Sequence, residues 1–163
     1  MKMKTLVGCL FLSLFAVQCW ASPQAEVRAL VARWGQALKT KNVEQVMACY
    51  APGSAVRAFD IVPPLECSGH DAYRKNYEQF FAMYRGPIEL ELRDLQVVAS
   101  SDMAFITVLE RMAGTLTDGQ KSEMWVRVTS VLRKMEGRWL IVHDHVSVPV
   151  DFASGTALLQ LKP

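Results

Sequence analysis

A chain of 163 residues, 51% hydrophobic and 21% charged, is sized for one domain with a sizeable core. Its formal net charge of +2 rests on Lys2 and Lys4, in a leader expected to be removed, so the remainder is formally neutral. No basic run with interleaved aromatics occurs, which excludes the nucleic-acid-binding class.

The leader opens with Met1-Lys2-Met3-Lys4, continues through an apolar run over 5–17, and ends in Cys19-Trp20-Ala21. Charge, apolar stretch and a small residue before a cut form the pattern of a secretory signal. The run is too short for a comfortable membrane span. A cut after Ala21 is expected. Residues 1–21 are then a signal peptide, and 22–163 form one domain, periplasmic or secreted, with no membrane partner. Cys9 and Cys19 leave with the signal. Cys49 and Cys67 remain in a compartment that permits disulfides. They either pair or serve as small buried apolar residues, with Cys49 on the apolar side of a helix.

Ser22-Pro23 marks a helix start. Val27, Leu30, Val31, Trp34 and Leu38 follow at helical spacing. Thr40-Lys41-Asn42 breaks that stripe. A second short helix carries Val43, Val46, Met47 and Tyr50 and ends before Pro52-Gly53. A short strand is expected over 55–59, and Val62-Pro63-Pro64 forces a turn or an edge. Gly69 precedes a third helix over 70–84, rich in aromatics, which Gly86-Pro87 should stop. Strands follow over 88–93, 103–117 and 122–134. The turn Met135-Glu136-Gly137-Arg138 leads into the last strand. Helices segregated from meandering strands indicate an α+β fold with an antiparallel sheet.

In the last strand, alternation puts Trp139, Ile141, His143, His145 and Ser147 on one face. Leu140, Val142, Asp144, Val146 and Val148 take the other. A strand largely apolar on both faces needs cover on both sides, one from a core or pocket and one from a core or a second subunit. A homodimer is expected on that ground. His143, His145 and Asp144 are costly unless paired.

Three segments carry a resemblance that covers nearly all of 22–163. They are Lys41-Asn42-Val43-Glu44 to Tyr50-Ala51-Pro52, Gly69-His70-Asp71-Ala72-Tyr73, and Gly137-Arg138-Trp139 through His143-Asp144-His145-Val146-Ser147. With the element order, they resemble the nuclear transport factor 2-like superfamily. That is the cone-shaped α+β fold of ketosteroid isomerase, scytalone dehydratase and the SnoaL-like polyketide cyclases. The last segment is especially similar to SnoaL-like bacterial proteins and to the association domain of calmodulin-dependent kinase II. The resemblance implies three N-terminal helices packed on a curved antiparallel sheet, a pocket between them, and dimerisation through the sheet. The superfamily holds enzymes, binding modules and assembly domains alike.

Matched to ketosteroid isomerase, Asp60 falls near the proton-shuttling base and Trp34 at a hydrogen-bonding tyrosine. Residues 128–130 fall where that enzyme has a protonated aspartic acid. No acid completes the same oxyanion site, so steroid isomerisation by that mechanism is not expected. Asp60 has two readings: a carboxyl with a raised pKa suited to proton transfer, or a turn aspartate capping backbone donors before Pro63-Pro64.

His143 and His145 also have alternatives. A metal needs further donors, and no spaced partner stands out, so no metal or cofactor is expected. As a general base, one histidine would be oriented by Asp60, Glu110 or Asp144. As structural groups, both would bond to Arg127 and Thr129 on the neighbouring strand. The likeness to the kinase association domain implies that the opposite face, including Val146 and Ser130, meets the pocket. Arg111 and Arg127 either bind an anionic ligand or pair with Glu89, Glu91 or Glu123. Tyr73 and Tyr77, one helical turn apart, would line the pocket with Trp34.

The candidate catalytic residues are therefore Asp60, His143 and His145. The candidate ligand-binding residues are Trp34, Tyr73, Tyr77, Glu110, Arg127, Ser130 and Asp144. The expected function is binding of a hydrophobic small molecule, or assembly. The alternative is a lyase, isomerase or cyclase that moves a proton through Asp60.

Overall fold

The structure is a computed structural model that describes residues 21–163; the expected signal peptide, apart from Ala21, lies outside the described residues. Ser22 starts helix α1 (Pro23–Lys39) by accepting a 3.2 Å hydrogen bond from Ala25 N, with Pro23 in the first turn. Its buried stripe holds Val27, Leu30, Val31, Trp34 and Leu38. Each such side chain contributes about 1.5–3 kcal/mol by leaving water. Glu26 on the same helix accepts bonds from Lys134 Nζ at 2.5 Å and Trp139 Nε1 at 2.7 Å, tying α1 to the far end of the sheet.

Asn42 caps α2 (Val43–Met47) by accepting from Gln45 N at 3.0 Å. Tyr50 lies beyond this helix, in a parallel bridge to Ile141. Two backbone bonds, Ala51 N to Ile141 O and Ile141 N to Cys49 O, both 2.9 Å, hold it there. The chain then forms β1 (Arg57–Phe59), β2 (Cys67–Ser68) and α3 (His70–Ala82). Helix α3 stops before Gly86-Pro87. Lys41, at φ 54°, sends Nζ to the carbonyls of Phe81 at 3.3 Å and Tyr84 at 2.6 Å and so closes its C-terminal end. Gly86 and Pro87 lie inside β3 (Tyr84–Ala99), where the register with the next strand shifts. Proline is tolerated in a strand at such an irregularity.

Strands β4 (Met103–Leu116), β5 (Lys121–Met135) and β6 (Arg138–Ser147) complete a meander in the order β2-β1-β6-β5-β4-β3. Glu136 and Gly137, both at positive φ, make the two-residue turn into β6. The sheet is mixed, which corrects the fully antiparallel expectation: β1 runs parallel to β6. The chain reaches β1 through helices and not through a hairpin, so nothing forces it antiparallel. Gly114 allows the tight approach of Tyr84, since a Cβ there would stand 2.7 Å from the ring.

Bulges curve the sheet around α1 and α3. One follows Arg93, with Asp94 at φ 57°. Another decides the faces of β6. Leu132 pairs with Ile141, but Val131 pairs with His143, so Val142 is an extra residue. The inward face therefore passes from Ile141 to Asp144, and these two line one cavity. The strict alternation expected for this strand fails at that residue.

Among the described residues Cys49 and Cys67 are buried and form no disulfide, so in this structure they take the alternative of small buried apolar residues. Burial pushes both thiols up in pKa. After Ser147 the tail makes a small hairpin of β7 (Val150–Asp151) and β8 (Thr156–Ala157). It then returns to β5, where Trp125 N donates to Leu159 O at 2.6 Å.

Candidate functional site

On β4, Ile106, Val108, Glu110 and Met112 share the inward parity, and all four are buried. The glutamate in that row is 6% exposed. It lines a cavity of about 120 Å³ between α1, α3 and the curved sheet. Trp34 of α1 and Tyr73, Tyr77 and Phe80 of α3 form one wall. Met112, Met124, Val128 and Val146 form the sheet wall. Val62 and Met83, 46% and 50% exposed, stand at the mouth. Asp60, Glu110 and Asp144 are its three acids, and no Lys, Arg or His lines it among the described residues. A second space of about 20 Å³ lies behind, shared by Trp34, Glu110, Val128 and Asp144 and reached also by Ser130.

A chain of hydrogen bonds runs along the inner wall. Trp34 Nε1 donates to Tyr77 Oη at 3.2 Å. The Tyr77 and Tyr50 hydroxyls are 2.8 Å apart. Tyr50 Oη donates to Asp144 Oδ2 at 2.6 Å, and Tyr73 Oη reaches the same oxygen at 3.5 Å. With Tyr50 donating to the carboxyl, Tyr77 must donate to Tyr50. Burial, with the nearby Asp144 charge, raises all three tyrosine pKa values, so each stays a neutral donor. Asp144 Oδ1 is buried with no partner among the described residues.

The acids differ in state. Burial raises Asp144 to about 6, moderated by Ser130 and Tyr50. Burial, with the charges of Asp144 and Asp60, raises Glu110 to about 8. At neutral pH Glu110 is mostly a protonated acid. It has no hydrogen-bond partner of its own among the described residues. Burial also raises Asp60, while a 2.7 Å bond from Ile61 N opposes the shift. That bond is the turn-capping contact, and the same carboxyl lines the cavity, so the two readings of Asp60 coexist. The β5 positions 128–130 hold no acid, as the sequence shows, but the same cavity is lined by one from the neighbouring strand β4, Glu110.

The cavity thus gathers Trp34, Asp60, Tyr73, Tyr77, Glu110 and Asp144, with Ser130 behind them. It does not gather His143, His145 or Arg127. The bulge at Val142 turns both histidines to the outer face, where they flank Phe59 at 5.1 and 5.8 Å between ring centroids. His143 Nδ1 donates to Arg57 O at 2.8 Å, and neither histidine bonds to Arg127 or Thr129 among the described residues. Arg127 is exposed. Arg111 pairs with Glu123 at 2.9 Å and Glu89 at 3.4 Å. Among the described residues no three His, Cys, Asp or Glu side chains converge on a metal-sized site. Tyr50 belongs to the network but was expected only as part of a helical stripe. Its sequence signal is weak, because the parallel bridge to Ile141 and not helical periodicity aims it inward.

Comparison with known proteins supports the same architecture. The profile of the SnoaL-like domain matches residues 27–151. No curated protein matches the chain. An NTF2-like protein of unknown function from Pseudomonas putida KT2440 is 33% identical, over 86% of this chain and 96% of the other, with a TM-score of 0.77. An NTF2-like superfamily protein from Salmonella enterica serovar Typhimurium shares the fold at 17% identity, over 82% and 96% of the two chains, with a TM-score of 0.71. A ketosteroid isomerase-like protein from Erwinia carotovora atroseptica does so at 19% identity, over 78% and 97%, with a TM-score of 0.66. With its α+β fold and curved sheet, the chain belongs to the SnoaL-like domain family of NTF2-like proteins.

Proposed function

We propose that this domain binds a small, largely apolar molecule in the cavity between α1, α3 and the sheet. The observation that carries this reading is the wall itself: apolar and aromatic side chains around a few convergent polar groups, one of which, Asp144 Oδ1, lacks a partner among the described residues. Ligand sites have that composition, whereas a cavity left only by imperfect packing has no reason to bury two carboxyls, Glu110 and Asp144, beside the half-buried Asp60. Export to the periplasm or beyond, and assembly as a homodimer through the outer face of the sheet, complete the proposal. The first rests on the leader's charge and apolar pattern, the second on the apolar residues of that face.

The pair of Asp60 and Glu110 favours a second reading. A carboxyl that can take a proton and a neutral acid that can donate a hydrogen bond, lining one cavity, suit proton abstraction beside a carbonyl. The reaction class would be isomerisation, elimination or cyclisation, with Asp60 moving the proton.

Native mass spectrometry of freshly purified protein tests the binding reading. A bound small molecule, lost on widening the wall through Phe80→Ala, is the expected result. A mass with no adduct, together with no binding from an apolar fragment panel, removes the proposal. Turnover abolished by Asp60→Asn with binding retained would promote the second reading.

A further inference from the structure

Three donors of the wall, Trp34 Nε1 and the Tyr77 and Tyr50 hydroxyls, are committed in series and end on Asp144 Oδ2. Asn76 and Tyr73 also line the cavity, and Ser130 the space behind it. Asp144, 4% exposed, keeps Oδ1 without a partner, and Glu110, 6% exposed, receives no donor among the described residues. We propose that the cavity takes a small apolar amine, held as its ammonium ion by Glu110 and Asp144 within the aromatic and methionine walls. This rests on the reading of the cavity as a ligand site and names the chemical class it admits.

Three alternatives fit less well. A carbonyl compound brings only acceptors, so it leaves Asp144 Oδ1 unsatisfied. A carboxylate ligand would be buried beside three acids with no lining cation, a like-charge arrangement that low-dielectric surroundings punish. A metal ion finds no three ligands close enough among the described residues. A hydroxyl, or a water in the 20 Å³ space, could donate to Oδ1, but it brings no charge and donates fewer bonds than an ammonium.

Ionisation supplies a readout. The groups facing the bound nitrogen would be Asp60 from the loop after β1, Glu110 from β4, Asp144 from β6, Tyr50 from beyond α2, and Tyr73 and Tyr77 from α3. Helix α1 and strand β5 add Trp34, Val128 and Ser130, which do not ionise in this range. The tyrosines stay neutral. Glu110 is the group that holds a proton near neutral pH and yields it to an adjacent cation. An amine arriving as ammonium therefore expels a proton to the buffer.

The test is isothermal titration of residues 22–163 near neutral pH with benzylamine, benzyl alcohol and benzoate. Each probe carries one polar group on one aromatic ring, so the comparison varies the polar group alone. Titrations run in phosphate and in MOPS, whose ionisation heats differ. Benzylamine should bind about tenfold or more tightly than benzyl alcohol, benzoate should not bind, and the two buffers should report proton release. Glu110→Gln should weaken benzylamine about tenfold and abolish the release. Benzyl alcohol or benzoate bound as tightly as benzylamine overturns the amine proposal and leaves the ligand-site reading standing. Benzylamine binding without proton release also overturns it. Failure of all three probes overturns both. The comparison of the three probes on the unaltered protein stands even if the variant does not fold.

Discussion

Tyr50 Oη donates a 2.6 Å hydrogen bond to Asp144 Oδ2 across 94 positions of sequence, and both residues are buried. The bond joins the chain beyond α2 to the strand that closes the meander. It is also the last step of the series that starts at Trp34. Asp144 has one orphan oxygen already. Replacing Tyr50→Phe would strip the short donor from the other and leave only the 3.5 Å contact from Tyr73. A bond to a charged acceptor is worth about 1.5–3 kcal/mol, so the variant should lose stability of that order near neutral pH. Urea unfolding of both proteins measures it. A loss within about 0.5 kcal/mol, the scale of a neutral surface change, would show that the bond does not hold the network together.

The raised acids make stability fall with rising pH. Glu110 titrates ordinarily at 4.5 but at about 8 in the fold. Between those values the native state keeps a proton that the unfolded chain has lost, so its contribution is full below the lower value and gone above the higher. Asp144 acts with the same sign between 3.8 and about 6. The lowered carboxyls, Glu26, Glu44, Glu123 and Asp151, act oppositely, but only as pH falls through the acid range below that window. The unfolding temperature should drop by several degrees from about pH 5 to about pH 8.5. Glu110→Gln should flatten the upper half of that slope. A temperature that rises over the interval would contradict the assigned states.

Much of this was legible from residues in order. The apolar stripe of α1, the Gly69 start of α3 and the turn at Glu136-Gly137 are local signals, and local physics delivers them. The inward row Ile106, Val108, Glu110 and Met112 is likewise visible in alternation, and it marks Glu110 as a buried acid. What stayed hidden is non-local. The extra residue Val142 exists only because Val131 and Leu132 pair around it, and that one bulge sends His143 and His145 outward. Gly86-Pro87 reads as a helix stop, yet Lys41, 40 residues upstream of Phe81, is what closes α3. Tyr50 reads as helical core until the bridge to Ile141 redirects it.

The outward histidines should matter unequally. His143 donates to Arg57 O at 2.8 Å and meets the Phe59 ring edge-on, so it pins the short parallel strand β1. His143→Ala should cost about 0.5–1.5 kcal/mol, the net worth of one such hydrogen bond. His145 is exposed and, among the described residues, makes the longer ring contact with Phe59 and no side-chain hydrogen bond. His145→Ala should stay within about 0.5 kcal/mol. Neither change should alter binding in the cavity, because both side chains lie on the other side of the sheet. Unchanged melting of His143→Ala, or lost binding in either variant, would refute this division of roles.

The outer face of the sheet should be an interface between two copies. Val98, Met103 and Phe105 are 54%, 52% and 45% exposed. Val98 pairs with Phe105, and Phe105 with Val131, so one apolar row crosses β3, β4 and β5. Beside it run Gln96, Thr107, Thr129 and His145, a row with no net charge when the histidine is neutral. Helices α1 and α3 are already used on the inner face, and the tail meets β5 at Trp125, so a second sheet is the cover expected over the Val98–Phe105 row. A stable pair needs about 800 Å² from each partner, which a face of four long strands can supply. Phe105→Glu would bury an unpaired carboxylate in the middle of the apolar row. The dimer should weaken at least a hundredfold, about 3 kcal/mol, while the monomer keeps its fold. Multi-angle light scattering at micromolar concentration should give a dimer for the unaltered protein and a monomer for the variant. A monodisperse monomer before any substitution would remove the interface.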